Sequence, residues 1–308
     1  MNGYVCVVGA VNIDIFGTPY SELKEYDSNP GKISTSLGGV GRNIAENLSR
    51  MGIKVELISV LGKDNNAKAI VENSRKLNIG LSYSEMMENE NTSTYLCINN
   101  VKGEMQVALS DMKIYENMTP NFLSKRLNII NKSKACIVDT NIPSLSLKYL
   151  MSNVEVPIFL DTVSTTKTEK IKDFIHNVHA IKANIYEAEI LSGVVIKSEE
   201  DYEIATNNIL KKGVKEIYLT LGAKGVYYTD GVDFGKLPVI SKEIVNSTGA
   251  GDSFLAGVVW GYLNNMGLVS SAQAGLAASY ITVNSPKTVS ESMTENHLKQ
   301  VIKKIGGI

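Results

Sequence analysis

The stretch Val245-Asn-Ser-Thr-Gly-Ala-Gly-Asp-Ser-Phe-Leu-Ala-Gly-Val-Val-Trp-Gly-Tyr262 joins a small, polar half to an apolar half at Asp252. Glycines let the backbone approach a ligand closely, and the apolar half predicts a buried helix. A helix N-terminus presents unpaired N–H groups and partial positive charge, which favour phosphate. Because phosphate repels a carboxylate, we interpret Asp252 as a base that takes a proton from an attacking hydroxyl. The alternative is a plain turn with Asp252 as helix cap.

Length and composition restrict the class of protein. The 308 residues suffice for one large α/β domain or two smaller ones. A hydrophobic content of 44% and a charged content of 20% argue against disorder. The net charge of −1 gives no support for binding to nucleic acid or a membrane surface. No signal peptide or membrane-spanning run is recognisable, so we expect a cytoplasmic protein.

Alternating strand-like and helix-like segments predict an α/β fold with a mostly parallel sheet. The predicted strands cover residues 4–9, 55–61, 135–139, 156–161, 180–183 and 216–221, and the predicted helices cover 63–78, 144–152, 168–176, 185–192 and 199–212. Polar residues follow several of these strands, at Asn12 and Asp14, Asp139–Asn141, Asp161–Ser164, Asn184 and Thr220–Gly222. Open α/β sheets bind ligands at this carboxyl edge, so the pattern predicts a cleft there. Asn12 and Asp14 could instead form a turn.

Residues of about 15–36 and 92–114 depart from this pattern. The first segment lacks helical spacing and ends in an alternating run, Ile33–Ser36, and the second shows from Thr92 to Leu109 the alternation of an antiparallel hairpin. We expect them to form a small sheet beside a single domain that covers 1–308. Such a sheet could act as a lid that excludes water from the cleft, or as a surface through which protein molecules associate. A hairpin without function is the alternative.

Three further motifs carry glycine or polar residues. Gly38-Gly-Val-Gly-Arg-Asn43 precedes a helix and leaves room for a ligand, although its spacing is not that of a dinucleotide-binding fingerprint. Thr220-Leu-Gly-Ala-Lys-Gly225 gives a second glycine-bearing strand exit, suited to a nucleotide. Asn184-Ile-Tyr-Glu187 places an amide and a carboxylate on one helix face, where they suit a hydrated magnesium ion or a capping box.

The motifs Gly38–Asn43 and Ser247-Thr-Gly-Ala-Gly-Asp-Ser-Phe254 together resemble those of the ribokinase-like carbohydrate kinases, the phosphofructokinase-B type. The resemblance covers almost the whole chain. It implies a three-layer α/β fold with a mostly parallel central sheet and a small β-sheet lid that forms a homodimer. It also implies an ATP- and Mg²⁺-dependent kinase that phosphorylates a primary hydroxyl of a sugar or nucleoside.

The same resemblance implies a role for individual residues. Asp252 is the base, and the N–H groups of Gly249, Ala250 and Gly251 form an anion hole. Implied substrate-binding residues are Asn12, Asp14, Gly39, Asn43 and Asn141; implied ATP-binding residues are Asn184, Thr220, Gly222, Gly225 and Thr248. Asn184 and Glu187 would hold Mg²⁺ through water. A K⁺ ion at Asn246 and Thr248 is left open, because many relatives have aspartate where this chain has Asn246.

Within this family, the stretches 38–48, 90–96, 110–112 and 161–167 resemble those of members that phosphorylate a nucleoside. This resemblance implies a ribosyl substrate, and we expect pseudouridine. Ser93 and Asp111 would then hydrogen-bond a uracil-like edge, unless they are ordinary polar residues of a solvated strand face. Ribose, fructose or another nucleoside is the alternative within the same chemistry. A sugar-binding regulator without catalysis is the alternative from another class.

Overall fold

The computed structural model describes residues 3–240 and 244–307. In these residues the strands are β1 (Val5–Val8), β2 (Asn12–Pro19), β3 (Gly31–Gly38), β4 (Val55–Ile58), β5 (Val60–Gly62), β6 (Ile79–Gly80), β7 (Glu85–Met87), β8 (Thr94–Asn99), β9 (Met105–Asp111), β10 (Cys136–Asp139), β11 (Ile158–Asp161), β12 (Val178–Asn184), β13 (Glu216–Thr220), β14 (Val226–Thr229) and β15 (Phe234–Leu237).

The α-helices in the same residues are α1 (Val40–Arg50), α2 (Asn65–Lys76), α3 (Pro120–Ser124), α4 (Leu127–Asn131), α5 (Ser144–Asn153), α6 (Thr165–Thr168), α7 (Ile185–Ser192), α8 (Glu200–Leu210), α9 (Ala250–Leu263), α10 (Leu268–Val283) and α11 (Glu295–Lys304). No helix of this part of the chain is long and apolar enough to cross a membrane.

Nine strands form the central sheet in the order β15-β14-β13-β12-β11-β10-β1-β4-β6. Within this sheet the seven adjacent strands β6, β4, β1, β10, β11, β12 and β13 are parallel to one another. The edge strands β14 and β15 are antiparallel to their neighbours. The chain passes from β1 to β4 on one side and later adds β10 on the other. The resulting switch point between β1 and β10 opens a crevice at the carboxyl edge, where such sheets bind ligands.

Helices cover both faces of this sheet and form two hydrophobic cores. In β1 the side chains alternate, because Val5 and Val7 pack on one face and Cys6 and Val8 on the other. The first face is covered by α1, α2 and α9–α11, and the second by helices between α3 and α8. The predicted three-layer α/β fold is therefore confirmed.

A smaller sheet, in the order β3-β2-β8-β9, stands beside the central one and is called the lid sheet below. It begins at Asn12, three residues before the predicted segment, so Asn12 and Asp14 lie in a strand rather than in a turn. Its β2–β8 pair is parallel, whereas its other two pairs are antiparallel. The antiparallel β8–β9 pair confirms the hairpin that the alternation from Thr92 to Leu109 predicts.

Three segments of the main body differ from their predictions. The helix expected at 168–176 is absent, since α6 ends at Thr168 and turns follow. Buried Ile171 and Ile175, four residues apart, imitate helical spacing in this turn region. The single strand expected at 55–61 is divided at Ser59 into β4 and β5, which belong to different sheets. The prediction also lacked β14 and β15.

Candidate active site

The loop before α9 has a conformation that requires glycine. Gly249 has a φ of 79°, and a Cβ atom there would lie 2.2 Å from the carbonyl oxygen of Thr288. Gly251 stands in the first helical turn, where a Cβ atom would lie 3.0 Å from Nζ of Lys182. The first N–H groups of a helix have no partner within it, although that of Ala250 donates to the carbonyl of Ser247 at 3.3 Å. The predicted anion hole thus lies at the N-terminus of a 14-residue helix.

Asp252 follows in the same turn of α9 and is partly buried. Its Oδ2 accepts a hydrogen bond of 2.8 Å from Nδ2 of Asn43 in α1. Burial, and then the negative charge of Asp161, raise the pKa of Asp252 to about 7, against opposing contributions from Asn43 and Lys182. A carboxyl group with this pKa can accept a proton near neutral pH, as a general base must.

The side chain of Asn43 is oriented by its neighbour Arg42, which is buried. Nη1 of Arg42 donates to Oδ1 of Asn43 and to the carbonyl oxygen of Leu37, each at 3.0 Å. The other nitrogen, Nη2, contacts Glu46 and the amide oxygen of Asn73. Since Arg42 occupies the oxygen of Asn43, the amide nitrogen is directed at Asp252. Sequence reasoning did not identify Arg42, although it lies within the Gly38–Asn43 motif.

Asp14 lies in β2 opposite the glycine motif and accepts a hydrogen bond from Nδ2 of Asn12. A Cβ atom on Gly38 would lie 2.2 Å from the Asp14 carboxylate, so this glycine makes room for the acid. Gly39 has a φ of 95°, and a Cβ atom there would meet the carbonyl oxygen of Ala10 at 2.5 Å. Burial raises the pKa of Asp14 to about 6, and the Asn12 hydrogen bond and the charge of Arg42 oppose this rise.

A cleft of about 940 Å³ runs between the lid sheet and the main body. Its lid wall includes Asp14, Phe16 and Tyr95, and the rings of the two aromatic residues meet edge to face with centroids 6.4 Å apart. Asn246 and Thr248 lie on the opposite wall. The aromatic pair was not predicted, because a lone aromatic residue in a strand is an ordinary core residue as far as the sequence shows.

The remaining predicted substrate residues make contacts inside the protein. The buried Ser93 donates its hydroxyl to the backbone oxygen of Asp111 at 2.9 Å, and the Asp111 side chain is exposed. Neither residue is among those that line the cleft. The side chain of Asn141 accepts a hydrogen bond at Oδ1 from the Lys167 ammonium group. The backbone N–H of Asn141 donates to the carboxylate of Asp139. A role for them in binding stays a prediction.

A second cavity, of about 380 Å³, lies on the other side of the α9 N-terminus. Four predicted nucleotide-binding residues and two from the anion hole line it, together with apolar side chains: Asn184, Thr220, Gly222, Gly225, Ala250 and Gly251, with Ile240, Ile244, Leu276 and Val283 among the apolar set. Thr248 lines the larger cleft instead. An apolar cavity beside a helix N-terminus suits a flat base with attached phosphates.

The predicted magnesium pair forms a capping box at the start of α7. Glu187 is buried, and its carboxylate accepts from the backbone and side-chain nitrogens of Asn184 at 2.8 and 2.7 Å and from Thr162 at 2.5 Å. The oxygen chemistry suits Mg²⁺, and both oxygens of Glu187 already accept hydrogen bonds inside the protein. Binding of the ion through water stays a prediction. The described residues contain no cluster of three or more His, Cys, Asp or Glu side chains arranged for a metal.

Asn246, the predicted K⁺ residue, holds its own loop together. Its Oδ1 accepts from the N–H of Thr248 at 2.9 Å, and its Nδ2 donates to the carbonyl of Pro286 at 3.2 Å. The amide oxygen of Asn246 is chemically able to ligate a monovalent cation. The K⁺ site at Asn246 and Thr248 stays a prediction.

Comparison with known proteins defines the class of this fold and site. The sequence model of the pfkB family of carbohydrate kinases matches residues 2–295. Pseudouridine kinase of Escherichia coli K12 is 34% identical over 283 residues, which cover 91% of this chain and 90% of that protein. A carbohydrate kinase from Agrobacterium tumefaciens superposes with a TM-score of 0.86 at 26% identity, over 98% of each chain. Arabidopsis thaliana ribokinase, solved with ribose and ATP, has a TM-score of 0.88 at 21% identity and covers 98% of this chain and 99% of its own.

The chain therefore belongs to the pfkB family of carbohydrate kinases. It is a phosphotransferase that acts on an alcohol group of a small-molecule sugar or nucleoside.

Proposed function

We propose that this protein transfers the γ-phosphate of ATP to the 5′ hydroxyl of a ribosyl nucleoside, and that the nucleoside is pseudouridine. The observation that carries the proposal is the location of Asp252 in the first turn of α9. Its neighbour Gly251 lines the apolar cavity, and Asn246 and Thr248 of the loop before the helix line the lid cleft. A base at this junction can reach a hydroxyl in the cleft while a triphosphate extends from the cavity. The similarity to a pseudouridine kinase over 91% of the chain supports the narrower assignment.

In the proposed reaction Asp252 accepts the proton of the 5′ hydroxyl. The hydroxyl oxygen forms a bond to the γ-phosphorus, and the bond from that phosphorus to the β–γ bridging oxygen breaks and leaves ADP. The helix N-terminus stabilises the charge on the transferred group through the N–H groups at Gly249 and Gly251. A magnesium ion, held through water near Asn184 and Glu187, would neutralise charge on the triphosphate oxygens when bound.

The lid cleft offers groups for both parts of a nucleoside. Asp14, supported by Asn12, can accept hydrogen bonds from ribose hydroxyls. Phe16 and Tyr95 line the same wall and present aromatic surface for a uracil-like base. Because the site then offers contacts to ribose and to base, we expect a nucleoside to bind better than a free pentose.

Steady-state turnover of ATP with pseudouridine, uridine, ribose and fructose tests the substrate assignment. We expect the highest kcat/KM for pseudouridine, and a higher value for uridine or a free sugar would contradict it. The same assay with Asp252→Asn tests the role of the base. A wild-type protein that binds sugars but turns over none of the four substrates would instead favour a regulator without catalysis.

We also propose a homodimer formed through the lid sheet. The face of this sheet opposite Asp14 carries exposed apolar residues: Ile33 (75% exposed), Val107 (54%) and Leu109 (68%). An apolar patch of this kind commonly marks an association site. Light scattering after size exclusion should give the mass of a dimer for the wild type and that of a monomer for Leu109→Lys. A monomeric wild type would refute the dimer and leave the kinase proposal untouched.

A further inference from the structure

Lys182, a residue without an assigned role, lies beneath the anion hole. It is located in β12 directly opposite Asp161 of β11, and its Nζ is 2.9 Å from Oδ1 of that acid. The side chain is only 10% exposed, and Asp161 is 1% exposed. The same ammonium group lies 3.0 Å from the position that a Cβ atom on Gly251 would take. Lys182 therefore fills the space between the sheet and the residue that precedes Asp252.

This location is unfavourable for a lysine considered alone. Burial removes the ammonium group from water, and the adjacent N-terminus of α9 carries partial positive charge of the same sign. Burial by itself would lower the pKa of Lys182, but the carboxylates of Asp161 and Glu187 outweigh it, and the pKa is raised. The amine thus keeps its positive charge at neutral pH. A buried positive charge beside the N-terminus of a helix requires an explanation.

The charges around Asp252 indicate what the ammonium group balances. Asp139, Asp161 and Lys182 occupy paired positions on β10, β11 and β12, so they form one row on the face that α9 covers. Arg42 of α1 lies behind Asn43, while α10, which packs along α9, contains no Asp, Glu, Lys, Arg or His. Among the described residues, the carboxylates that act on the base are Asp139 and Asp161. Lys182 is hydrogen-bonded to Asp161, and Lys167 of α6 interacts with both acids through its charge.

We propose that Lys182 is a positioning residue that balances the charge of Asp161 and so keeps Asp252 in its proton-accepting form. This inference rests on the proposed function, in which Asp252 is the base. Without the ammonium group, Asp161 would lose its hydrogen-bonded cation, and its less compensated negative charge would favour protonation of Asp252. Consistent with this, Asp161 raises the pKa of Asp252 and Lys182 lowers it.

Removal of either partner should therefore move the titration of Asp252 in opposite directions. Lys182→Met should raise its midpoint by about one pH unit or more, the size expected for loss of a nearby opposite charge. Asp161→Asn should lower the midpoint, and the double variant should return it towards the wild-type value. A residue that serves only to stabilise the fold would not produce shifts of opposite sign.

The experiment is a pH titration of protein labelled with ¹³C at the aspartate carboxyl carbon, with the Asp252 signal identified by its loss in Asp252→Asn. Lys182→Arg, which retains the charge, and Lys212→Met, whose lysine donates to the carbonyls of Leu191 and Lys172 on another surface, should leave the midpoint within a few tenths of a unit. An unchanged midpoint in both Lys182→Met and Asp161→Asn overturns the proposal. If Lys182→Met fails to fold, Asp161→Asn and the double variant decide alone.

Kinetics separate this proposal from the proposed function. With any substrate that the wild type phosphorylates, Lys182→Met should lower kcat about fivefold or more near pH 7 and much less near pH 9, since the base is then ionised again. An equal loss at every pH contradicts the proposal. A wild type that phosphorylates no sugar or nucleoside refutes the proposed function, while the carbon titration still decides the role of Lys182.

Discussion

Replacement of Asn43 by alanine removes the 2.8 Å hydrogen bond from its amide to Oδ2 of Asp252. Hydrogen bonds to charged groups contribute about 1.5–3 kcal/mol, and one pKa unit corresponds to about 1.4 kcal/mol. The pKa of Asp252, which burial and Asp161 already raise to about 7, should therefore rise by about one to two further units in Asn43→Ala.

This shift has a calculable effect on the rate. With a pKa of about 7, roughly half of the Asp252 carboxylates are ionised near pH 7 in the wild type, against about a tenth to a hundredth in Asn43→Ala. We expect kcat near pH 7 to fall about five- to fiftyfold and to recover most of this loss near pH 9. The assay is kcat at saturating ATP and nucleoside between about pH 6 and pH 9. Saturation removes the effect of any weaker substrate binding, which would appear in KM.

Asn47 provides the matched control. It lies one turn further along α1 and donates to the backbone carbonyl of Asn43 at 2.9 Å, away from Asp252. Asn47→Ala should leave the acidic limb of the pH profile unchanged. If Asn43→Ala also leaves that limb unchanged, or loses rate equally at all pH values, the reasoning about the base is refuted.

Three further outcomes follow from the site. The pKa of Asp252 is raised from the ordinary aspartate value of 3.8 to about 7. The folded state therefore loses stability as pH rises from the ordinary value to the raised one, because the folded protein then has to give up a proton that it holds more tightly than the unfolded chain does. Asp252→Asn should therefore raise the Tm near pH 8 while it lowers kcat at least about a hundredfold, whereas a lower Tm would contradict the sign of the shift. Gly249→Ala should lower both Tm and kcat, because the new Cβ would meet the Thr288 carbonyl, and Gly267→Ala is the control in open space. The KM for nucleoside should rise as pH falls through about 6, where Asp14 gains a proton, and Asp14→Asn should raise KM about tenfold or more and remove this pH dependence.

The sequence predicted the parts of this protein that local rules determine. Buried parallel strands are continuous apolar runs, and the polar residues that follow them meet at one edge for topological reasons. Asp139, Asp161 and Thr220 all lie at this carboxyl edge of the central sheet. The glycine requirement before α9 was also readable, because only a residue without Cβ fits at Gly249.

Features that depend on tertiary contacts could not be read from the sequence. Lys182 lies in a strand-like run whose alternation suggests an ordinary polar position, and only the position of α9 makes it a neighbour of Gly251. The orientation of Asn43 depends on Arg42, which in turn contacts Asn73 from α2. The strands β14 and β15 are short and antiparallel, so the βα alternation that revealed the other strands was missing.

The central claim is that the protein phosphorylates the primary hydroxyl of pseudouridine. The most direct test is a competition in which limiting ATP meets equal concentrations of pseudouridine, uridine and ribose. The products are separated by chromatography against authentic standards, because the two nucleoside phosphates have the same mass, and the phosphorylated position is read by proton-coupled ³¹P NMR. We predict mainly pseudouridine monophosphate, with a phosphorus signal split into a triplet by the two protons at C5′. A product that is mainly uridine or ribose phosphate, or phosphate attached at a secondary hydroxyl, would contradict the account.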